Sequence, residues 1–375
     1  MTNTNTQLTS TINADHTLTL ALQSIDMPTP NADEVVVRIE AAPLNPSDLG
    51  VLFSAADMTT AKQLGTEEST VISASVPAQF MPSLEKRVNK AVPVGNEGAG
   101  VVVAAGSSAT AQALMGKTVA VIGGGTYRKF LCANVQSCLV LKEGTTAKEG
   151  ASSFVNPLTA LAMVETMRAE GHKAIIHAAA ASNLGQMLNR VCIADNVDLI
   201  NIVRKPEQET LLRNMGAKYV INSTSDTFIN DLTAAIIETG ATISFDPIGG
   251  GKLTSDILNC MEVAASRDMQ EHSLYGSDTF KQAYIYGALD RGPITLNRNF
   301  GFAWAVNGFL LFNALGKLGA ETVMAMRQRV ANEITTTFAS HYTHEVSLNG
   351  ALQLKAIEGY SKQATGEKYL INPQA

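Results

Sequence analysis

The chain has 375 residues, 45% hydrophobic and 17% charged, the composition of an ordinary globular protein and a length that exceeds one compact core, so two domains are expected. With 34 acidic against 28 basic side chains the net charge is −6, which argues against a broad nucleic-acid surface and means that local cations must meet any anionic ligand. Four scattered cysteines, Cys132, Cys138, Cys192 and Cys260, lack the paired spacing of a structural zinc site and read as reduced core thiols of a cytoplasmic protein.

In chain order, Met1 to Asp15 is Thr/Asn-rich without a cationic-then-apolar pattern, so no signal peptide is expected. Glu34 to Glu40, Val101 to Ala104 and Thr118 to Ile122 read as strands. They are punctuated by Gly95, Gly98, Gly100, Gly106 and Gly123 to Gly125, which makes this part mostly β with turns. Ala55 to Pro93 is a polar, weakly periodic insertion, and both an active-site flap and a surface excursion stay open for it. Glu149 to Met167 then predicts one helix, with Pro157 near its first turn.

The next seventy-odd residues run strand, turn, helix, strand: Lys173 to His177, Ala178 to Gly185, then Val197 to Val203, followed at once by Arg204 and Lys205. That order builds a pocket for a dinucleotide, with small residues letting backbone approach a pyrophosphate that the helix N-terminus favours. The fingerprint is degraded, since Ala180-x-Ser182-x-x-Gly185 stands where three glycines are usual. A buried strand running into an ordinary helix accounts for the same residues. Arg204 and Lys205 occupy the strand end where an NAD-selective site places a carboxylate, and cations there favour the 2′-phosphate of NADP.

Pro206 opens a helix over Glu207 to Met215 that stops at Gly216. Further strands follow at Lys218 to Ile221, Ala241 to Asp246 and Gln282 to Gly287. Short apolar strands alternating with helices predict an α/β, doubly wound parallel sheet covered on both faces. Phe300 to Leu315, interrupted by Gly301, Asn307, Gly308 and Asn313, is too short to span a membrane and predicts a buried strand and helix. The Ile294 to Phe302 stretch beyond the fifth strand is expected to form the open sheet edge, and an open edge invites pairing with a twin, so a homodimer is expected. Glu345 to Glu358 starts strand-like and turns helical, and Lys368 to Ile371 reads as a strand returning to the N-terminal part. The cofactor domain is then an insertion over 155–337 between 1–154 and 338–375, with the active site in the cleft between domains.

Several pieces resemble the medium-chain dehydrogenase/reductase superfamily, and its zinc-independent quinone oxidoreductase and enoyl reductase branch in particular. They are Ala42-Pro-Leu-Asn-Pro-Ser-Asp48, Val94-Gly-Asn-Glu-Gly-Ala-Gly-Val101, Asn156-Pro-Leu-Thr-Ala160, Ala179-Ala-Ala-Ser-Asn-Leu-Gly185, Met215-Gly-Ala-Lys-Tyr-Val-Ile221 and Phe245-Asp-Pro-Ile-Gly-Gly250, in the family's order over nearly the whole chain. The resemblance implies a Rossmann NADP-binding domain inserted in a mostly β, GroES-like catalytic domain. Zinc members of the superfamily place Cys and His where Asn45 and Asn96 stand here, and the histidines at 16, 172, 177, 272, 341 and 344 show no ligand spacing, so no metal is expected.

By resemblance Asn45 and Thr159 border the nicotinamide. Asn45 also reads as a turn residue before Pro46. Ser182, Asn183, Leu184 and Gly185 present backbone and hydroxyl groups to the pyrophosphate, or simply cap a helix. Arg204 and Lys205 meet the 2′-phosphate, or are a solvated charge pair, and Ser223 is placed beside them. Asp246 and Ile248 end the fourth strand, and Tyr286, Gly287 and Leu289 follow the fifth, at the carboxyl edge where cofactors lie. The tyrosine that enoyl reductases of the superfamily carry after the Asn-Pro-Ser-Asp turn is missing from Leu49 to Ser54, and Tyr127 is the phenol offered as an acid, or else a packed aromatic. Expected is NADPH-dependent hydride transfer to a quinone or other conjugated carbonyl, with enoyl thioester reduction or non-catalytic NADPH binding as alternatives.

Overall fold

The computed structural model describes residues 4–66, 69–267, 269–271 and 273–375, so His272 lies outside the described residues. It divides into two compact units, Met1–Val155 with Arg327–Ala375, and Asn156–Met326. The C-terminal junction falls before residue 338 because Arg327 already belongs to the first unit, where its guanidinium donates to the carbonyls of Gln136 and Cys138.

The first unit is built on antiparallel pairing. Glu34–Pro43 is its axis: it pairs with Glu97–Ala105, with Phe130–Asn134 and, through Leu370 and Ile371, with the C-terminal strand Tyr369–Asn372. A strand gripped this way is buried on both faces, which its run of Val35, Val36, Val37 and Ile39 permits. The insertion at 55–93 contains regular structure. Asp57–Gly65 and Thr70–Ser75 form an antiparallel hairpin that continues the sheet of Thr17–Asp26 and Thr4–Ile12. Its polarity follows from position: only alternate residues of Thr70–Ser75 are buried, and Asp57–Gly65 is the outermost strand.

The single helix predicted over 149–167 is two helices, Ala147–Gly150 and Val155–Ala169. The interruption has a physical cause, since the Glu97 carboxylate accepts the backbone N–H groups of Phe154 and Val155 and so begins the second helix there.

Among the described residues the second unit holds a six-stranded, all-parallel sheet in the order Tyr219–Asn222, Asp198–Val203, Ala174–His177, Ile243–Asp246, Lys281–Ile285, Trp304–Gly308. The order reverses beside Ala174–His177, and in such sheets the carboxyl ends at the reversal form the ligand crevice. Two expectations need correction. The edge strand is Trp304–Gly308 and not 294–302, a stretch broken by Pro293 before it and Gly301 within it, which contributes one isolated bridge from Ile294 to Gly251. The strand and the helix Leu311–Leu318 form, yet they are not buried: Phe302, Leu310 and Phe312 stand exposed.

One buried ion pair holds this unit's far loop. Glu262 on the helix Leu253–Ser266 accepts from Lys281 Nζ, from Ser266 Oγ and from both the N–H and hydroxyl of Ser277. Burial alone would raise the Glu262 carboxyl, but the hydrogen bonds from Lys281, Ser277 and Ser266 outweigh it and hold the group down at about 2. A depressed carboxyl adds stability above its unfolded pKa and loses it as pH falls toward the folded one, here through the window from about 4.5 to 2. Glu262→Gln strands a fully buried lysine, so urea denaturation at pH 7 is expected to show a loss of about 3–5 kcal/mol. The difference from wild type should shrink as the pH is lowered through that window; a difference below about 1 kcal/mol at pH 7 would contradict the account.

Candidate functional site

The carboxyl end of the parallel sheet is assembled from turns that only small residues can make. Ala174–His177 ends at a turn in which Ala179 takes the left-handed φ of 48°, a strained conformation for a residue with a Cβ. Ser182 then caps the helix Asn183–Ala194, its hydroxyl accepting the Gly185 N–H at 3.2 Å. Gly185 is compulsory: a Cβ there would lie 2.2 Å from the Ala180 carbonyl oxygen, backbone that cannot swing aside. This is the third glycine's task in a dinucleotide turn, close packing of helix on strand, and it survives although the first two glycines do not. The capping and phosphate readings of Ser182 to Gly185 therefore describe the same local geometry.

Arg204 and Lys205 are exposed immediately beyond Asp198–Val203, and Lys205 stands at the N-cap of the helix Pro206–Asn214. Ser223 donates its hydroxyl to the Val203 carbonyl, and Thr224 donates its own to the Arg204 carbonyl, so the ends of the two neighbouring strands are tied. Asp246 is buried and occupied. It accepts the Ile248 N–H at 2.7 Å and the Thr254 hydroxyl at 3.0 Å, with burial raising its carboxyl. It thus shapes the 247–254 loop. That loop presses on the next one, because a Cβ at Gly287 would meet the Pro247 carbonyl oxygen at 2.5 Å, and Leu289 N–H bonds to the same carbonyl.

Tyr286 has a partner that sequence reasoning missed: its hydroxyl and His177 Nε2 are 2.7 Å apart. His177 is fully buried, and desolvation lowers it to about 3, so it is a neutral ring at the end of the first strand. A groove of about 490 Å³ runs past Tyr286 and Gly287 to Phe309, Leu310 and Asn313.

Thr159 lies buried in the helix Val155–Ala169. Asn45 and Tyr127 belong to the first unit. Asn45 precedes the helix Pro46–Leu52 and is 1% exposed, its amide nitrogen donating to Glu97 Oε1 at 2.8 Å. Around it sits a buried polar cluster that drew no attention in the sequence. Asp48 accepts the backbone N–H groups of Asn45 and Asn96, and desolvation pushes its carboxyl up to about 7. Lys368, lowered by desolvation to about 8 against the pull of Glu97 and Asp48, donates to Ser152. The available signal was a glutamate among glycines in a strand-forming segment, Gly95-Asn-Glu97-Gly98. Tyr127 is 1% exposed with its hydroxyl donating to the Pro43 carbonyl, and burial raises its pKa well above the ordinary phenol. It is the packed aromatic, and its proton is not offered to a ligand. Among the described residues no group of three or more His, Cys, Asp or Glu side chains is arranged to hold a metal ion, and no helix is long and apolar enough to cross a membrane.

No family model matches the chain. A protein from Mesorhizobium loti described as a candidate NADPH:quinone reductase superposes on 100% of this chain and 99% of its own, with a TM-score of 0.73 at 23% identity. A mutant enoyl thioester reductase from Candida tropicalis matches 98% of this chain and 99% of its own, with a TM-score of 0.65 at 19% identity. In sequence, the mitochondrial enoyl-[acyl-carrier-protein] reductase of Mus musculus is 24% identical over 280 residues, which is 73% of this chain but 63% of the mouse protein, less than two thirds of its length. The chain shares its fold with these reductases, an inserted parallel-sheet unit and a mostly antiparallel one. The chain is similar to a protein described as a quinone reductase and to enoyl reductases alike.

Replacing Gly185 by Ala is expected to cost about 1–3 kcal/mol, since overpacking here is against backbone. A thermal melt of Gly185→Ala checks it, and an unchanged midpoint would show that the strand-to-helix turn has room.

Proposed function

We propose that the chain is a zinc-independent, NADPH-dependent oxidoreductase that passes hydride to a quinone or another conjugated carbonyl acceptor. The observation that carries the reading is the exposed pair Arg204 and Lys205 at the carboxyl end of the second strand, whose main chain is tied to the end of the third by Ser223 and Thr224. Two cations side by side suit a 2′-phosphate, and the Ser223 and Thr224 hydroxyls, spent on the Val203 and Arg204 carbonyls, hold the strand end that carries them. The Ser182-capped helix start suits a pyrophosphate, with Gly185 keeping the backbone close enough to reach it. When bound, NADPH supplies the hydride. In this reading the loops at 246–250 and 286–289 border the nicotinamide, and Asp246 holds the first of them through Ile248 and Thr254. Hydride addition to a quinone leaves an electron pair on a carbonyl oxygen, and water can protonate it, so Tyr127 can remain a packing residue without cost to the chemistry.

Enoyl thioester reduction is the second reading, favoured by the likeness to the mouse and Candida enoyl reductases. It is weakened by the absence of tyrosine from Leu49 to Ser54. NADPH oxidation assayed with a small quinone against crotonyl-CoA separates the two, and a strong preference for the thioester would reverse their order. NADPH binding without turnover of any quinone or enone would favour a binding protein.

Arg204→Ala and Lys205→Ala should each weaken NADPH by about tenfold to a hundredfold while leaving NADH little changed, as the loss of one charge-assisted hydrogen bond implies. Thermal-shift titration with both nucleotides reads this directly, and equal stabilisation by NADPH before and after the substitutions would sink the proposal.

We also propose a homodimer. Trp304–Gly308 is hydrogen-bonded on one side, to Lys281–Ile285. The residues flanking it are apolar and exposed, 77% for Phe302, 58% for Leu310 and 63% for Phe312, which is a surface that invites a partner. Light scattering is expected to give twice the chain mass, falling to one chain mass for Val306→Lys, and a monomeric wild type would refute the edge pairing.

A further inference from the structure

We infer that the Tyr286 hydroxyl is a hydrogen-bond donor held for a ligand carbonyl oxygen, in the groove that Tyr286 lines with Gly287, Phe309, Leu310 and Asn313. Every residue in the argument belongs to the second unit. His177 closes the first strand and Tyr286 follows the fifth, so both stand on the carboxyl side of the sheet. Their rings are nearly parallel, 17° apart, and His177 Nε2 lies 2.7 Å from the hydroxyl. Nδ1 of the same ring is buried and has no partner among the described residues.

Counting hydrogens turns that contact into a statement about a ligand. His177 is fully buried and neutral, so its ring carries one hydrogen, and the phenol, raised well above its ordinary value by burial, carries another. The pair has two donor hydrogens and one internal contact. One hydrogen is therefore left over in either tautomer. With hydrogen on Nδ1 the phenol donates to Nε2, and the Nδ1–H is stranded. With hydrogen on Nε2 the imidazole donates to the phenol oxygen, and the phenol hydrogen is stranded instead. Buried donors without acceptors are destabilising, and native interiors hold few of them.

The two stranded hydrogens differ in reach. Nδ1 is sealed at the strand end, whereas Tyr286 is half-buried and forms part of the groove wall. An acceptor entering the groove can satisfy the phenol hydrogen alone. Its binding fixes the tautomer with hydrogen on Nε2 and leaves only the Nδ1 lone pair unmatched, the lesser loss. Asp246 is not the missing acceptor, because its oxygens are spent on the Ile248 N–H and the Thr254 hydroxyl. Its negative charge, which raises the phenol further, disfavours an anionic acceptor and selects a neutral carbonyl. Two flat ligands carry one: a nicotinamide nucleotide, as its carboxamide, and a quinone. The first source rests on the NADPH reading.

The test uses the whole chain and two pairs of probes. NADP⁺ is compared with thio-NADP⁺, in which sulfur replaces the carboxamide oxygen, and duroquinone with durene, the same methylated ring without carbonyls. In wild type the oxygen-bearing member of one pair should bind about fivefold or more tighter than its partner. Tyr286→Phe should erase that preference and leave the weaker probe unchanged, as the loss of one sheltered hydrogen bond implies. The pair that loses its preference names the source of the carbonyl. In nitrogen-15 NMR of histidine-labelled wild type, His177 should carry its hydrogen on Nδ1 in the free protein, where that tautomer leaves one unmatched group and not two, and on Nε2 when the preferred probe saturates.

A preference that survives in Tyr286→Phe overturns the inference, and so does a wild type with no preference in either pair. An Nδ1–H ring that persists at saturation overturns it as well, a result that stands even where Tyr286→Phe does not fold. A wild type that binds neither NADP⁺ nor thio-NADP⁺ removes the NADPH reading and leaves the quinone pair to decide this one.

Discussion

The second unit depends on how closely one helix may approach the strand before it. Between the buried strand Ala174–His177 and the helix Asn183–Ala194 the chain reverses in five residues, and it does so with the Gly185 Cα packed on the Ala180 carbonyl. A side chain at position 185 would push the helix off the sheet and widen the crevice at its carboxyl end. The same constraint recurs at Gly287 against Pro247, so the floor of the site is backbone packed on backbone. Rigidity of this kind is what a nucleotide site needs, since it presents N–H groups that have nowhere to relax.

The first unit solves a different problem, that of keeping charge inside. Asp48, Glu97 and Lys368 are drawn from a helix start, a strand start and the chain's tail, and each is supplied with hydrogen-bond partners. Desolvation still pulls all three toward neutrality, raising the two carboxyls and lowering the amine. The contrast with Glu262 and Lys281 is instructive. There a direct ion pair with three further donors outweighs burial and the carboxyl is depressed. In the Asp48 and Glu97 cluster the donors are mostly backbone amides, which hold the oxygens in place without a full compensating charge. The first arrangement favours stability and the second favours geometry.

Much of the parallel sheet was legible because each strand is a short apolar run bounded by a turn signal, and because Pro206 and Gly216 mark the ends of their helix. The edge strand was misplaced because Trp304–Gly308 is half-exposed and polar at its end, whereas the apolar residues upstream are held in an irregular segment by Gly292, Pro293 and Gly301. The helix at 149–167 was read as continuous because its period is continuous. The break comes from Glu97, a residue more than fifty positions away, and no local pattern records it. His177 and Tyr286 illustrate the same limit: 109 residues apart, each looks like an ordinary end-of-strand side chain until the sheet order places them together.

What the amino-acid sequence determined by itself was the alternation of strands and helices, the small-residue turn and the cations after the second strand, because these depend on periodicity and on residues adjacent in the chain. What only the tertiary structure decided was which polar groups spend their hydrogen bonds on each other. Tyr127 became a packed side chain and Asn45 an amide held by Glu97, since burial favours pairing a donor with an acceptor and the acceptor can come from any distance along the chain.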